Sequence, residues 1–344
     1  VKTLTLKSIV AAGVLAGLVV PVGALADTQF LGAGSTFDAP FFSRAFYKYS
    51  QDHAGVTVNY ASIGSGGGIS QFTAKTVDFG ASDVPLTKTE MAAAMDANGA
   101  VVQLPVTLGG VCISYNVPGA PKHLKLTSAV LANIALGHVT NWNDASIAAS
   151  NPGVKLPNLA ILWVHRADAS GTTYIFTDYL SKVSSEWKTK VGVAKSVNWP
   201  AGVGAKGNEG VAGQLGNSPG SIGYIELAYA LQNDIAYAAL QNKAGQYIMP
   251  SIDSVRAAAA QKPNVNPDDF SIVDQDGKDS YPISGYSWVI LWKNQADPAR
   301  GKQLTDMLKW LVTGGQSLAT AVNYVDLPSN VQTEALKALG SIHS

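Results

Sequence analysis

Apolar positions in this chain come in short runs whose period switches between two and about 3.6. Residues 29–33 read as a short strand and 56–60 alternate as a second one. Between them Asp38-Ala39-Pro40 opens a helix, with Pro40 in its first turn and Phe42, Phe46 and Tyr49 at helical spacing. Gly64-Ser65-Gly66-Gly67-Gly68 forms a turn ahead of a short helix, 69–75, and 76–83 predicts a strand ending in a polar turn. Thr87 and Glu90 have the capping-box spacing before an Ala- and Met-rich helix. Residues 101–106 and 111–117 read as two strands parted by Gly109-Gly110, near a change of lobe. The apolar run 159–164 reads as a buried strand and 173–182 as the helix after it. Residues 199–210 are Gly-rich and loop-like, 209–215 a short helix, 221–225 and 286–292 strands, and 263–279 a polar loop. Asp297-Pro298 begins a helix with Leu304, Met307, Leu308 and Leu311 on one face, stopped at Gly314-Gly315. Strands alternating with helices predict an α/β fold with a mostly parallel sheet in at least two units.

Composition narrows this reading. The chain has 344 residues, enough for two domains, and only 14% are charged. The formal net charge is zero, which argues against a nucleic-acid partner held by a broad basic surface. Any anion must therefore be held locally. Lys2 and Lys7, the apolar stretch 9–20 and Ala24-Leu25-Ala26 have the order of an export signal, expected to be cleaved after residue 26. No cysteine stands at that point, so a lipoprotein signal is not expected, and the lone Cys112 permits no internal disulfide. A soluble protein exported to a periplasm follows.

The stretch that organises the rest is Arg166-Ala167-Asp168-Ala169-Ser170-Gly171-Thr172, between a strand and a helix. Amides at a helix start are unpaired and face a positive dipole end. Ser170 and Thr172 add hydroxyl donors, and Arg166 a planar fork that fits two oxygens of a tetrahedral anion. Three other turns share the form of strand end, then Gly, Ser or Thr: Ser35-Thr36-Phe37, Gly64-Ser65-Gly66-Gly67 and Ser82-Asp83. Ligands of open α/β sheets gather at that end of the strands. Neither glycine turn completes a dinucleotide fingerprint, since Phe37 and Ile69 stand where the last glycine belongs, and no Walker lysine follows. Taken singly, each turn is equally well an ordinary glycine turn or cap.

Together the motifs at 32–37, 64–68, 78–83 and 166–172 closely resemble the periplasmic phosphate-binding proteins of high-affinity ABC phosphate transporters. The likeness extends to 141–144, 151–153, 206–210 and 222–226, nearly the whole mature chain. The resemblance implies a type II periplasmic-binding-protein fold, with lobe one at 27–107 plus 283–344 and lobe two at 108–282. It implies inorganic phosphate in the cleft, delivery to an inner-membrane ABC permease, a monomer, no cofactor, no metal and no catalytic residue. Carried over by motif, the phosphate contacts are Thr36, Phe37 through its backbone, Ser65, Asp83, Arg166, Ser170, Gly171 and Thr172. Asp168 pairs with Arg166 and fixes its fork. Ser35 stands where the family often has Ala, so its hydroxyl carries no weight in this reading.

A carboxylate among anion contacts needs a reason. Phosphate near neutral pH keeps a proton, which an ionised Asp83 accepts in a charge-assisted bond, whereas sulfate offers none and meets a like charge. A turn-capping role is the plain alternative for Asp83. A different oxyanion, a secreted phosphatase or a structural secreted protein are the rival functions. The phosphatase needs a metal cluster or an activated nucleophile, and the five histidines show no metal spacing. His165, next to Arg166, should point to the other face of its strand.

Overall fold

A computed structural model describes residues 28–343; the expected export signal, 1–26, lies outside the described residues. The strands, in chain order, are β1 (Thr28–Gly34), β2 (Val56–Ser62), β3 (Phe79–Ser82), β4 (Val101–Tyr115), β5 (Lys125–Leu126), β6 (Leu162–Arg166), β7 (Val203–Ala205), β8 (Ser221–Glu226), β9 (Ala236–Tyr237), β10 (Ala239–Gln241), β11 (Tyr247–Ile248) and β12 (Ser284–Trp292). Nine form one sheet in the order β2-β1-β3-β12-β4-β8-β6-β7, with β9 also on β4; β11-β10-β5 form a small second sheet. Parallel pairs lie on the two flanks, β2/β1/β3 and β8/β6/β7, while β4 and β12 in the middle run antiparallel to their neighbours. The sheet is thus mixed rather than mostly parallel. β4 and β12 are buried on both faces, as parallel strands usually are, so their apolar runs do not reveal their direction and only the tertiary pairing decides it.

The expected strands 101–106 and 111–117 are one continuous strand. β4 pairs β12 from Val101 to Gly110 and β8 from Val111 to Tyr115. Gly109 and Gly110 are not a break but points of close approach. A Cβ on Gly109 would meet the Phe37 ring at 2.9 Å and a Glu226 carboxyl oxygen at 3.1 Å. The expected helix 69–75 begins earlier, at Ser65, and runs to Thr73. Its first-turn glycines are required by packing: a Cβ on Gly68 would lie 2.3 Å from the Gly34 Cα. The strand expected at 159–164 is shifted to β6, because the Leu159 carbonyl accepts from the Trp142 amide instead. The helix Gly171–Val183 follows, capped by Ser170, and a further one, Gly207–Asn217, follows β7.

Helices pack against both flanks. The helix Ala39–Asp52 buries Phe41, Phe42, Ala45, Phe46 and Tyr49 on one face, as its spacing predicts. Thr87 and Glu90 form the capping box of the helix Lys88–Asn98. The main core cluster runs from Phe30 to Leu339 without interruption by the middle strands, and smaller clusters lie around Cys112 and around Ile69. Several of the polar residues that this core buries, among them Ser35, Thr36, Asp83, Arg166 and Glu226, stand at or just after the C-terminal ends of β1, β3, β6 and β8.

Candidate anion site at the strand ends

Parallel register brings the motif turns together. Gly34 pairs with Ala81, so the turns after β1 and β3 leave the sheet side by side; Arg166 pairs with Ala205 on the other flank. All nine expected site residues converge there and, apart from Asp168, are buried. Their hydrogen bonds cross between the flanks. Gly171 N–H donates to Ser65 Oγ at 3.0 Å, and Asn208 donates to Thr36 Oγ1 through its amide nitrogens at 2.7 and 3.1 Å. Thr172 Oγ1 donates to Asp83 Oδ2 at 3.4 Å.

Counting lone pairs shows what these hydroxyls can still do. Ser65 Oγ accepts from the Gly171 and Asp83 amides, and Thr36 Oγ1 accepts twice from Asn208. A hydroxyl has two acceptor positions and one hydrogen. Both oxygens are used as acceptors, so both are left to act as donors. Ser170 Oγ accepts from the Thr173 amide as the helix cap and likewise keeps its hydrogen. The Phe37 amide donates to Ser35 Oγ at 2.9 Å.

The carbonyls of this turn are drawn away by three buried or half-buried tyrosines. Tyr60 donates to the Ser35 carbonyl at 2.7 Å, Tyr229 to the Thr36 carbonyl at 2.6 Å and Tyr324 to the Phe37 carbonyl. Three successive acceptors are thereby turned from the centre, and the turn presents donors. Tyr229 comes from the helix Leu227–Gln232, across the sheet from the turn it holds.

One cation, Arg166, faces two carboxylates, Asp168 and Asp83. Arg166, 3% exposed, puts Nε and Nη2 on the two oxygens of Asp168 and Nη1 near Thr172 Oγ1 at 3.4 Å. Burial alone would raise the Asp168 carboxyl; the guanidinium and the Gly207 amide outweigh it and hold the group below its ordinary value. Asp83 is lifted to about 6, because burial penalises its charge more than Ser35, Ser287, Arg166 and Thr172 restore. Burial, then the charge of Asp83, pushes Asp38 well above the ordinary range. Glu226 is also raised by burial; one of its oxygens accepts from the Ala228 amide at 2.6 Å.

Sequence reasoning missed several members. Ser35, given no weight, donates its hydroxyl to Asp83 Oδ1. Ser287 on β12 lies 3.0 Å from the same oxygen and 2.6 Å from Asp38 Oδ2. Asn208 stands inside a motif already marked at 206–210, which was the available signal; nothing in the sequence pointed to Ser287. His165 turns away as expected and stacks on Trp199, with ring centroids 4.7 Å apart.

A family model described as a PBP superfamily domain matches residues 20–314. Phosphate-binding protein PstS of Xylella fastidiosa is 46% identical over 311 residues, 89% of this chain and 83% of the relative. The protein of that name in Haemophilus influenzae is 43% identical over 303 residues, 87% of this chain and 89% of its own. Among solved structures, the high-affinity periplasmic phosphate-binding protein PfluDING matches with a TM-score of 0.74 at 23% identity, covering 89% of this chain and 92% of that one. A phosphate-binding protein from Stenotrophomonas maltophilia matches with a TM-score of 0.68 at 19% identity over 90% and 93%. The two likenesses give the fold, two α/β lobes of the periplasmic-binding-protein kind; with the closer relatives, they place this chain in the family of the phosphate-binding proteins PstS.

Proposed function

We propose that this chain binds inorganic phosphate in the periplasm and delivers it to an ABC-type phosphate permease of the inner membrane. It is a substrate-binding protein of phosphate transport and not an enzyme, as its family is. The observation that carries the reading is the polarity of the site. Thr36, Ser65 and Ser170 have hydroxyl hydrogens to give, Arg166 adds a held cation, and a single carboxylate, Asp83, offers an acceptor. Many donors and one strong acceptor match a tetrahedral anion that carries a proton. Phosphate contacts are assigned to Thr36, Phe37, Ser65, Asp83, Arg166, Ser170, Gly171 and Thr172, with Asp168 orienting Arg166.

Lobe one is assigned to 27–107 plus 283–344 and lobe two to 108–282. The change of partner along β4, from β12 to β8 at Val111, supports a crossing in this region. Ligand that bonds both lobes favours their closed arrangement by its differential contacts. Residues 1–26 act as a cleaved signal without lipid attachment, and the mature chain works as a monomer. The test is calorimetry of phosphate-stripped protein, residues 27–344, with phosphate and then sulfate. One phosphate per chain and undetectable sulfate are expected; equal binding of the two anions would sink the reading. Small-angle scattering should show compaction on adding phosphate.

A further inference from the structure

Behind Asp83 lies a second buried carboxyl that no phosphate contact explains. Asp38 is fully buried, and its side-chain partners are the hydroxyls of Tyr60 and Ser287. Ser287 Oγ stands 2.6 Å from Asp38 Oδ2 and 3.0 Å from Asp83 Oδ1. A hydroxyl has one hydrogen, so two ionised carboxylates would leave one of these contacts as a bare approach of acceptors. Both contacts are hydrogen bonds only if one carboxyl brings a second hydrogen.

The surroundings decide which one does. Asp83 receives the hydroxyls of Ser35 and Thr172 and faces the Arg166 guanidinium. Apart from Ser287, Asp38 receives its own backbone amide and Tyr60 at 3.1 Å, whose hydrogen is shared with the Ser35 carbonyl at 2.7 Å, and no cation faces it. The titratable groups around the pair are Tyr60 on β2, Tyr229 and Glu226 near the end of β8, and Tyr324 from the C-terminal part; Arg166 is the facing cation. None but Arg166 offsets negative charge, and it faces Asp83.

We propose that Asp38 is a positioning residue for specificity: it stays protonated, donates to Ser287, and through the Ser287 hydroxyl keeps Asp83 an ionised acceptor for the ligand's proton. The proposal rests on the phosphate reading above. Hydrogens run in one direction, Asp38 to Ser287 to Asp83, so Asp83 is free to accept and has none to give. A fully ionised oxyanion is refused because of that direction. Burial and the charge of Asp83 both raise Asp38, the direction that the hydrogen count requires.

Infrared spectra of the ligand-free protein at neutral pH test the proton directly. A protonated-carboxyl band should lose intensity in Asp38→Asn and keep it in Asp83→Asn. A band unchanged by Asp38→Asn overturns the proposal, as does a gain of tenfold or more in both phosphate and sulfate affinity, which removal of a negative charge would give. Ser287→Ala, a smaller change, keeps the test open should Asp38→Asn not fold. It takes a hydrogen bond from Asp83, so the pH below which sulfate begins to bind should move up by about one unit. An unmoved profile refutes the relay. The infrared arm uses no ligand, so a parent that failed to bind phosphate would sink the proposed function and leave the proton count standing or falling on the spectra.

Discussion

Asp83→Asn is the sharpest probe of how the site chooses its anion. In the parent, Oδ1 accepts from Ser35 and lies 3.0 Å from Ser287 Oγ, while Oδ2 faces Thr172 at 3.4 Å. Two hydroxyls donating to one position fix the amide orientation: the Asn carbonyl takes the place of Oδ1, and the NH₂ takes that of Oδ2. The acceptor nearest Thr172 becomes a donor. Phosphate then loses a charge-assisted bond worth about 1.5–3 kcal/mol, or about 10- to 150-fold in affinity. Relief of repulsion toward its other oxygens offsets part of that. Sulfate loses nothing. A like-charge contact at about 4 Å is worth about 4 kcal/mol at an effective dielectric of 20, and regaining a third of it is about tenfold. Calorimetry with both anions on parent and variant, at about pH 8 to lie above the Asp83 value of about 6, reads both effects. Sulfate that stays undetectable while phosphate affinity collapses would show that Asp83 is structural or an essential charge, and the selectivity argument would fail.

Arg166→Ala strands the Asp168 carboxylate, and breaking such a pair costs about 3–5 kcal/mol divided between folding and binding; melting and titration together should recover that sum, and a phosphate affinity within twofold of the parent would remove Arg166 from the site. Tyr229→Phe releases the Thr36 carbonyl; phosphate binding should weaken about fivefold, near 1 kcal/mol, and an unchanged affinity would deny the tyrosine its holding role. Acid should erode selectivity: as pH falls through about 6, Asp83 gains a proton that it can offer to sulfate, so the phosphate-to-sulfate ratio should drop there and not near 4. Its raised value also means that Asp83 favours folding fully only below its unfolded value and loses that contribution as pH rises through about 6; Asp83→Asn should therefore flatten that part of the melting-temperature profile.

Features that depend on near neighbours were legible in the chain. The capping box at Thr87 and Glu90, the Ser170 cap and the apolar face from Leu304 to Leu311 each obey rules of a few residues' range. The turns that close on the site could be marked for the same reason, since each is a strand end followed by Gly, Ser or Thr. Their pooling into one site came from the motif resemblance; parallel register aligns the turns within each flank, and hydrogen bonds between the flanks join them in space. Other features are set by surfaces that meet only after folding. Gly109 and Gly110 look like a break, yet pairing with β12 and β8 carries β4 through them, and a side chain on Gly109 would strike Phe37 and Glu226. Ser287 lies 204 positions from Asp83, on a strand whose antiparallel place beside β3 no pattern announces. The three tyrosines and Asn208 likewise reach the Thr36 turn from distant segments. A buried polar group must find its partner wherever the fold provides one, and that partner is named by tertiary geometry rather than by spacing along the chain.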